Sequence, residues 1–500
     1  MTERSRFGLH MGNTTITLST LKEEKAEIVA SKFGDRSSYA CIAASQESEF
    51  CVGLPAKQGI ARNGTLTVVN NFQFLSDHLT PEQIDEAISK SCLCKVNHTA
   101  SSIAYELSKG DDATTKITPF EVAVHLLKNT YENATYAAAK PESVLEAVIA
   151  VPMNWSQKSR QQYCKAVRDG GFEVIGVITE PSAALLAYDI GIDASEISNV
   201  FIVRLGGLST DLTIMSVRDG LYSVVDSLHL SHLGGNILTK ALSEYLASEF
   251  FAKYKLDPRE SRRTMVKLNE TAENVKHILS TMPSAHVFVE SLMDGIDWSQ
   301  NISRARFENV IGTKLQLFSR PIDEFIKKNN VNIDKTIFTG GSMKIPKLQS
   351  TISALVPKAQ VLSSIPPDEV ISIGCAKQSA YLNGTDFDDV ADNIDMEITT
   401  IPDDISFQLV DGDNKPIGDT ETEFLFKSGA LVPSIHGVTI AKQMQHPVKL
   451  AIKQGDHIDY IESDPTKDLT EITARLHGGI RKHNDNTQTI EPATVHVHLN

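Results

Sequence analysis

The sequence predicts an α/β protein with a duplicated core, followed by a smaller antiparallel β module. Three observations support this fold class. Apolar strands alternate with helical patterns through roughly the first 385 residues, two of these strands end in similar glycine turns, and apolar and polar residues alternate near the end of the chain. A chain of 500 residues is too long for one hydrophobic core and implies roughly two to four domains.

The first part of the chain has the rhythm of an α/β architecture. The apolar run at residues 148–152 predicts a buried strand, and residues 155–170 have helical spacing. A second strand is predicted over residues 174–178 and a second helix over residues 181–188. Because strands and helices alternate, these residues favour helices packed on a sheet.

The last hundred residues have a different pattern. Residues 448–453 and 494–499 alternate with period two, and a turn is predicted at residues 455–456. This pattern indicates an antiparallel β module over residues 401–500. The acidic, weakly apolar residues 386–400 predict a linker before it.

An internal repeat is the most informative feature of the sequence. Residues 7–15 and 201–209 each contain an apolar strand, a glycine turn and small hydroxyl residues, with Gly12 matching Gly206. A third glycine turn follows the strand at residues 337–342. Glycine allows close approach of the backbone, and successive N–H groups can bind phosphate oxygens. A tight turn explains each one alone, but together they predict a duplicated fold that holds phosphates between its halves.

These turns, with several further segments, resemble the 70-kDa heat-shock (DnaK-type) family and its actin-like, two-lobed ATPase domain. The resemblance covers about residues 5–383. It implies a nucleotide-binding domain at residues 1–385, with lobe I at about 1–190 and lobe II at about 191–385. After the linker at 386–400, it implies a short, lidless β domain of the peptide-binding type at 401–500. The matching segments, in the family's order, are residues 150–152 with Arg160, 179–184 with Ala187 and Tyr188, 232–235, 303–308, 340–347 and 367–369.

The resemblance also implies a set of nucleotide-binding residues. The helix that carries adenosine contacts in the family corresponds to Glu273, Lys276, His277 and Ser280, and spacings of three and four place Glu273, Lys276 and Ser280 on one helix face. A solvated charged face is the alternative reading of this helix. Lys344 replaces an adenine-stacking arginine. The remaining implied contacts are Gly12, Asn13, Thr14, Arg204, Gly206, Gly207, Gly234, Gly235, Gly340, Gly341, Ser342 and Asp368.

The catalytic positions depart from the family pattern. His10 and Arg204 stand where the family has carboxylates that organise magnesium, and Phe72 falls at the catalytic lysine unless a shifted alignment hides it. Glu180 and Asp211 are the acidic remnants, so no catalytic residue is assigned with confidence. A magnesium site needs oxygen ligands and excludes a fixed cation, and phosphoryl transfer depends on such charges. We therefore expect ATP as the ligand, no assigned metal site, a doubtful role for magnesium, and little or no hydrolysis.

Arg204 carries a sharper expectation. Because arginine makes strong charge-assisted contacts with phosphate, we expect Arg204 to lie close to the phosphates and to replace part of the missing positive charge.

Composition narrows the possible partners. A net charge of −15 disfavours direct binding to DNA or to an anionic membrane, since both select basic surfaces. Neither a signal peptide nor an apolar run of membrane-spanning length is recognised. The six scattered cysteines are typical of reduced thiols. These features predict a cytoplasmic protein.

A lidless member with an impaired catalytic site resembles the Ssz-type class of the family. Proteins of that class pair with a J-domain protein of the zuotin type in the ribosome-associated complex. The resemblance implies ribosome contact through that partner, and stimulation of a second 70-kDa heat-shock chaperone that acts on nascent chains. Two alternatives stay open: a complete ATP-dependent peptide-binding chaperone, and a nucleotide-exchange factor for such a chaperone.

Overall fold

A computed structural model of the chain describes most of its residues and contains two compact units. The larger unit comprises residues 1–218 and 225–395, and the smaller one comprises residues 219–224 and 396–500. The predicted domain limits stay a prediction, and the predicted linker at 386–400 lies outside the described residues. These residues are 4–22, 25–44, 50–77, 79–99, 102–108, 114–138, 140, 143–191, 198–218, 221–381, 405–411, 423–426, 434–439, 449–454, 457–462, 471–482 and 488–499.

The strands that precede residue 363 form several sheets. In chain order they are β1 (Arg4–Met11), β2 (Thr15–Lys22), β3 (Lys25–Ile28), β4 (Ser38–Tyr39), β5 (Cys41–Ala44), β6 (Phe50–Val52), β7 (Thr67–Val69), β8 (Lys95–Thr99), β9 (Ser102–Ser108), β10 (Thr114–Ile117), β11 (Val144–Val151), β12 (Glu173–Thr179), β13 (Ser198–Leu205), β14 (Thr210–Arg218), β15 (Leu221–Leu230), β16 (Ser284–Met293), β17 (Ile296–Ser303), β18 (Lys335–Thr339) and β19 (Gln360–Leu362).

The helices lie in the larger unit. Among the described residues, none of them is long and apolar enough to cross a membrane. They are α1 (Leu54–Asn63), α2 (Pro81–Ser91), α3 (Pro119–Ala137), α4 (Gln157–Asp169), α5 (Glu180–Ala187), α6 (Gly235–Tyr254), α7 (Arg262–Thr281), α8 (Arg304–Asn329), α9 (Pro346–Ser353) and α10 (Val370–Tyr381).

Two sheets of the larger unit repeat one topology. In the first, β1 pairs antiparallel with β2 and parallel with β11, which pairs parallel with β12. In the second, β13 pairs antiparallel with β14 and parallel with β18, which pairs parallel with β19. We call the part built on the first sheet the first lobe and the part built on the second sheet the second lobe. The predicted α/β fold with a duplicated core is confirmed.

Local sequence signals determine where the helices of the site begin. Helix α5 begins at Glu180 because the Thr179 hydroxyl accepts a hydrogen bond from the Ser182 N–H, an N-cap that satisfies a free amide at the helix start. Helix α7 begins after Ser261, whose hydroxyl accepts from the Thr264 N–H in the same way. The helices predicted over 155–170 and 181–188 are found as α4 and α5.

A separate apolar cluster supports each lobe. Phe7, Leu9 and Ile149 belong to the first cluster, while Phe201, Leu242 and Trp298 belong to the second, and each is at most 1% exposed. Burial of such side chains supplies the main stabilising term, about 1.5–3 kcal/mol for each fully buried large residue. The phosphate-loop strands β1 and β13 therefore end in rigid surroundings.

The smaller unit contains antiparallel strands, in agreement with the period-two alternation. One sheet has the order β21–β20–β23–β24 and another has the order β22–β25–β26. Ile405, Phe407 and Leu450 form its buried face. The turn predicted at 455–456 lies outside the described residues. The strands are β20 (Ile405–Val410), β21 (Glu423–Phe426), β22 (Ser434–Thr439), β23 (Lys449–Gln454), β24 (His457–Glu462), β25 (Glu471–Lys482) and β26 (Gln488–Leu499).

Helix α10 packs closely on α5 and on β1 because glycine stands at both contacts. A Cβ added to Gly374 would overlap the backbone carbonyl of Ala183, and one added to Gly8 would overlap the backbone at Ala376. Only hydrogen at these positions allows the backbones to approach so closely.

We expect Gly374→Ala to lower the free energy of unfolding by about 1–3 kcal/mol, since the added methyl group forces the two helices apart. Gly312→Ala is the matched control, because Gly312 lies inside α8 with nothing within 4 Å of an added Cβ. The control should gain about 0.5–1 kcal/mol from helix propensity. Denaturant unfolding of both variants measures the difference, and a Gly374→Ala protein as stable as the wild type would contradict the packing argument.

Candidate functional site: a nucleotide cleft between two lobes

The two predicted phosphate loops have matching geometry. The Gly12 N–H donates to the Thr15 carbonyl at 2.9 Å, and the Gly206 N–H donates to the Ser209 carbonyl at the same distance. The loops also approach each other, since a Cβ on Gly207 would overlap the side chain of Thr14. The residues that repeat in sequence thus meet across the cleft.

Asn13 fastens the first loop to its own lobe. Its side-chain oxygen accepts a hydrogen bond from the Gln73 N–H at 2.8 Å. Asn13 lies beside the predicted phosphate loop, with its amide oxygen engaged.

Further predicted residues converge on the second loop. The Gly235 N–H donates to the Gly206 carbonyl at 3.0 Å, and the Ser342 hydroxyl donates to the same carbonyl at 2.9 Å. A Cβ on Gly234 would overlap the backbone at Gly207. These close contacts place the start of α6 and the third glycine turn against the phosphate loop, as a shared nucleotide site requires.

The third glycine turn contacts the segment before α10. Gly340 has a φ of 89° and its N–H donates to the Pro367 carbonyl at 2.7 Å. Gly341 has nothing within 4 Å of an added Cβ, so it faces open space. Lys344 forms an ion pair with Asp368 at 2.6 Å. The structure therefore brings Lys344 and Asp368 together at this turn.

Helix α7 presents the predicted adenosine residues, but three of them are engaged by protein groups, of which Lys276 and Ser280 bind within the second lobe. Lys276 is 6% exposed and its ammonium group donates to the Thr239 hydroxyl at 2.8 Å. Burial lowers the pKa of Lys276, although Glu273 opposes this effect. The Ser280 hydroxyl donates to the Lys276 carbonyl at 2.9 Å. Glu273, Lys276 and Ser280 do share one helix, as the spacing predicts.

Lys57 joins the two lobes at the mouth of the cleft, and the sequence reasoning missed it. From α1 of the first lobe, its ammonium group lies 2.5 Å from Glu273 and 3.0 Å from Glu270 on α7 of the second lobe. Burial raises the pKa of Glu273, but the nearby Lys57 and Lys276 outweigh it and hold that pKa below its ordinary value. The spacing of Glu270 and Glu273 by three places both carboxylates on one helix face, but it does not point to Lys57 as their partner.

His277 is crowded by cations on one side and open to solvent on the other. Burial lowers its pKa first, and the neighbouring Lys276, Lys57 and Lys344 contribute to a pKa of about 4. The side chain keeps an exposed face, and its lowered pKa leaves the imidazole neutral at pH 7.

At the base of the cleft, five charged or titratable side chains form one chain of contacts. His10 Nε2 lies 3.0 Å from Glu180 Oε1, and Arg204 Nε lies 2.8 Å from Glu180 Oε2. Arg204 Nη2 contacts Asp211 Oδ2, and His229 Nδ1 lies 2.6 Å from Asp211 Oδ1. The structure thus brings together His10, Arg204 and both acidic remnants, and it adds His229, which belongs to no sequence motif.

The charges in this chain stabilise one another. Burial alone would lower the pKa of Arg204, but Asp211 and Glu180 raise it above its ordinary value. Burial alone would raise the pKa of Asp211, but Arg204 and His229 lower it. These opposing effects keep Asp211 ionised and Arg204 protonated.

The guanidinium of Arg204 has little capacity left for phosphate. Besides the two carboxylates, its Nη2 donates to the Ser209 hydroxyl at 3.3 Å. Its Nη1 faces the loop, 3.1 Å from the place of a Cβ on Gly206. The expected contact with phosphate stays a prediction, and it would involve Nη1.

The same geometry does not fit a divalent metal. Each oxygen of Glu180 and of Asp211 already contacts Arg204 or a histidine. A metal such as magnesium requires carboxylate oxygens free to bind it or its waters, and a buried guanidinium among them repels it. Among the described residues, no group of three or more His, Cys, Asp or Glu side chains is arranged to hold a metal.

Phe72 fills its position with an aromatic cluster. Its side chain is 5% exposed, and its ring lies 4.6 Å from that of Trp155 and 5.5 Å from that of Tyr163, measured between centroids. An apolar ring packed in this way supplies no charge to the cleft.

A pocket of about 430 Å³ adjoins the charged chain, with Glu180, Arg204 and Asp211 in its wall.

The duplicated sheets and the three converging glycine turns define a two-lobed nucleotide-binding protein of the actin-like class. The family described as "Hsp70 protein" matches residues 6–464. The chain is 37% identical to Heat shock 70 kDa protein 14 of Danio rerio over 76% of this chain and 75% of that one. For the proteins of the same name from Xenopus tropicalis and Homo sapiens, the identity is 36%, over 86% of this chain and 83% of each relative. The chain belongs to the Hsp70 family, and this membership implies ATP binding.

The state of His277 can be tested directly. We expect its imidazole to titrate well below the ordinary histidine value of about 6.5. Because the folded-state pKa is lowered, the folded protein takes up this proton less readily, and stability from this group is lost as pH falls below about 6.5. Histidine NMR signals followed against pH, with His277→Asn for assignment, measure the midpoint. A midpoint at or above the ordinary value would contradict the argument.

Proposed function

We propose that the protein is an atypical, Ssz-type Hsp70 co-chaperone that binds ATP with little or no hydrolysis. On this proposal it forms a stable complex with a J-domain protein of the zuotin type in the cytoplasm. It acts at the ribosome through that partner and assists nascent chains by stimulating a second Hsp70 chaperone. The observation that carries the proposal is the Arg204 guanidinium between Glu180 and Asp211.

The geometry separates binding from chemistry. Hydrogen bonds that shape the phosphate loops come from backbone groups of glycines such as Gly12 and Gly206, which side-chain substitutions leave in place. Phosphoryl transfer needs metal and a positioned lysine to balance developing charge. With Arg204 at the acidic centre and Phe72 in an aromatic cluster, neither requirement is met by these side chains. A protein of this kind suits a regulatory role better than an ATP-driven cycle.

In single-turnover assays we expect ATP to bind but to be hydrolysed at least roughly 10²–10³-fold more slowly than by an active family member, since several charge-stabilising groups are absent. A protein with His10→Asp, Phe72→Lys and Arg204→Asp should recover part of the rate. ATP binding is measured on the same samples, so that failure to bind ATP is not mistaken for slow hydrolysis. Hydrolysis as fast as that of the active member would refute the proposal.

The proposed partner requires a docking surface, and the smaller unit offers one. β24 lies at the edge of its sheet, and its Ile458 and Tyr460 are 46% and 48% exposed. An open edge with alternating apolar side chains is suited to pairing with an extended segment of another chain. We infer that an apolar segment of the J-domain partner adds to the β module within residues 401–500.

Deletion of residues 401–500 should abolish co-purification of the partner. A milder test is Ile458→Lys with Tyr460→Lys, which we expect to weaken the complex by about tenfold or more, because exposed apolar anchors carry much of the affinity of an interface. Phe288→Lys is the matched control, since Phe288 is 57% exposed on β16 of the larger unit. If the truncated protein still co-purifies with its partner at full yield, the β module is not the principal docking site.

A further inference from the structure

The base of the cleft contains a cation that is part of the protein. Arg204 lies on β13 of the second lobe, and Glu180 is the first residue of α5 in the first lobe. Their side chains are 14% and 6% exposed, with Nε and Oε2 2.8 Å apart. We propose that Arg204 performs the structural task of a divalent metal. It ties the two lobes together at the base of the cleft, so that the cleft is closed without nucleotide and ATP binds without a divalent metal.

Each carboxylate oxygen around Arg204 lies next to a guanidinium or an imidazole nitrogen. Glu180 contacts Arg204 through one oxygen and His10 through the other. Asp211 contacts Arg204 through one oxygen and His229 through the other. Because every oxygen of these two groups has such a neighbour, the acidic centre is a poor site for a metal ion.

The Arg204–Glu180 pair is the part of this chain that crosses the cleft. His10 and Glu180 both belong to the first lobe, while Arg204, Asp211 and His229 belong to the second. Opening the base of the cleft would separate one buried cation from one buried carboxylate. Separation of such a pair is unfavourable because each charge loses its partner where little water can replace it.

Contacts at the mouth of the cleft also oppose its opening. Lys57 reaches from the first lobe to Glu270 and Glu273 on the second. Glu86 on α2 lies 3.5 Å from His232, which precedes α6. The cleft is thus held at its base and at its mouth by side chains that are present in every nucleotide state.

This arrangement limits what a nucleotide can change. A ligand shifts a conformational equilibrium only by the difference between its affinities for the two states. Where the closed state is already favoured by the protein's own ion pairs, ATP and ADP have little closure left to produce. We infer that the arrangement of the two lobes differs little between the ATP-bound, ADP-bound and nucleotide-free protein. The part of the proposal that concerns ATP affinity rests on the proposed function, whereas lobe closure does not.

The test uses hydrogen exchange of the full-length protein, stripped of metal with EDTA and of nucleotide by exhaustive dialysis. We expect slow exchange in the two phosphate loops, changing by no more than about twofold when ATP is added. Arg204→Ala should accelerate loop exchange by about tenfold or more in the stripped protein and make it respond to ATP.

Two matched variants keep the test informative if Arg204→Ala does not fold. Glu180→Gln and Asp211→Asn each neutralise one carboxylate on Arg204, but only Glu180 lies across the cleft. Glu180→Gln should therefore accelerate loop exchange in the stripped protein, and Asp211→Asn should do so much less. The proposal that Arg204 ties the lobes together would be overturned by equal effects of the two variants. It would also be overturned if the loops of the stripped wild type exchanged freely until ATP was added.

The metal part is measured by ATP affinity in magnesium and in EDTA. We expect the two dissociation constants to agree within about threefold, since no metal site contributes. A loss of affinity of about tenfold or more in EDTA would overturn this part. Failure to bind ATP in both conditions would refute the proposed function. Hydrogen exchange of the stripped protein would still decide whether Arg204 ties the two lobes together.

Discussion

The site depends on the close approach of backbones at glycine. Gly207, Gly234 and Gly340 each lie so near another chain segment that a Cβ would overlap it. These contacts bring strand ends from both lobes to one place, where backbone N–H groups can surround an anion. A side chain at any of the three would separate the segments and widen the cleft. The rest of the site is assembled around this constraint.

The pairing of charged side chains at the base of the cleft follows from the same close approach of the backbones. Once β13 and the start of α5 are brought together, Arg204 meets Glu180 in a place with little access to water. A buried cation needs anionic partners, and Asp211 supplies the second one. The acidic residues that persist in this sequence are thus explained by the arginine they neutralise. Their presence is consistent with a site in which they no longer organise a metal.

Much of the fold could be predicted from the sequence because repetition and periodicity are local signals. The match between residues 7–15 and 201–209 predicted two equivalent strand-and-turn units, and the sheets show the same pairing around β1 and β13. The resemblance implied the helix with Glu273 and Ser280, and spacing placed the two residues on one face of it. Helix limits shifted by one or two residues, since caps such as Thr179 set them.

The missed residues are those whose role depends on contacts between distant segments. Lys57 meets Glu273 across 216 positions of the chain, and no local pattern marks such a pair. His229 belongs to no motif in the sequence, and only the fold places it, on β15, beside Asp211. For Arg204 the substitution was visible, but its partners were not. Sequence shows which side chains are unusual, whereas the fold shows which groups satisfy them.

Binding and catalysis place different demands on such a cleft. The phosphate loops act through backbone groups, which glycine positions keep available whatever side chains surround them. Catalysis requires side chains that balance charge only as it develops in the transition state. A cation already paired with Glu180 and Asp211 stabilises the resting protein and has little left to offer a transition state. On the proposed function, His10 and Arg204 in place of acidic residues trade reaction rate for a cleft assembled by the protein's own ion pairs, as a regulatory subunit would require.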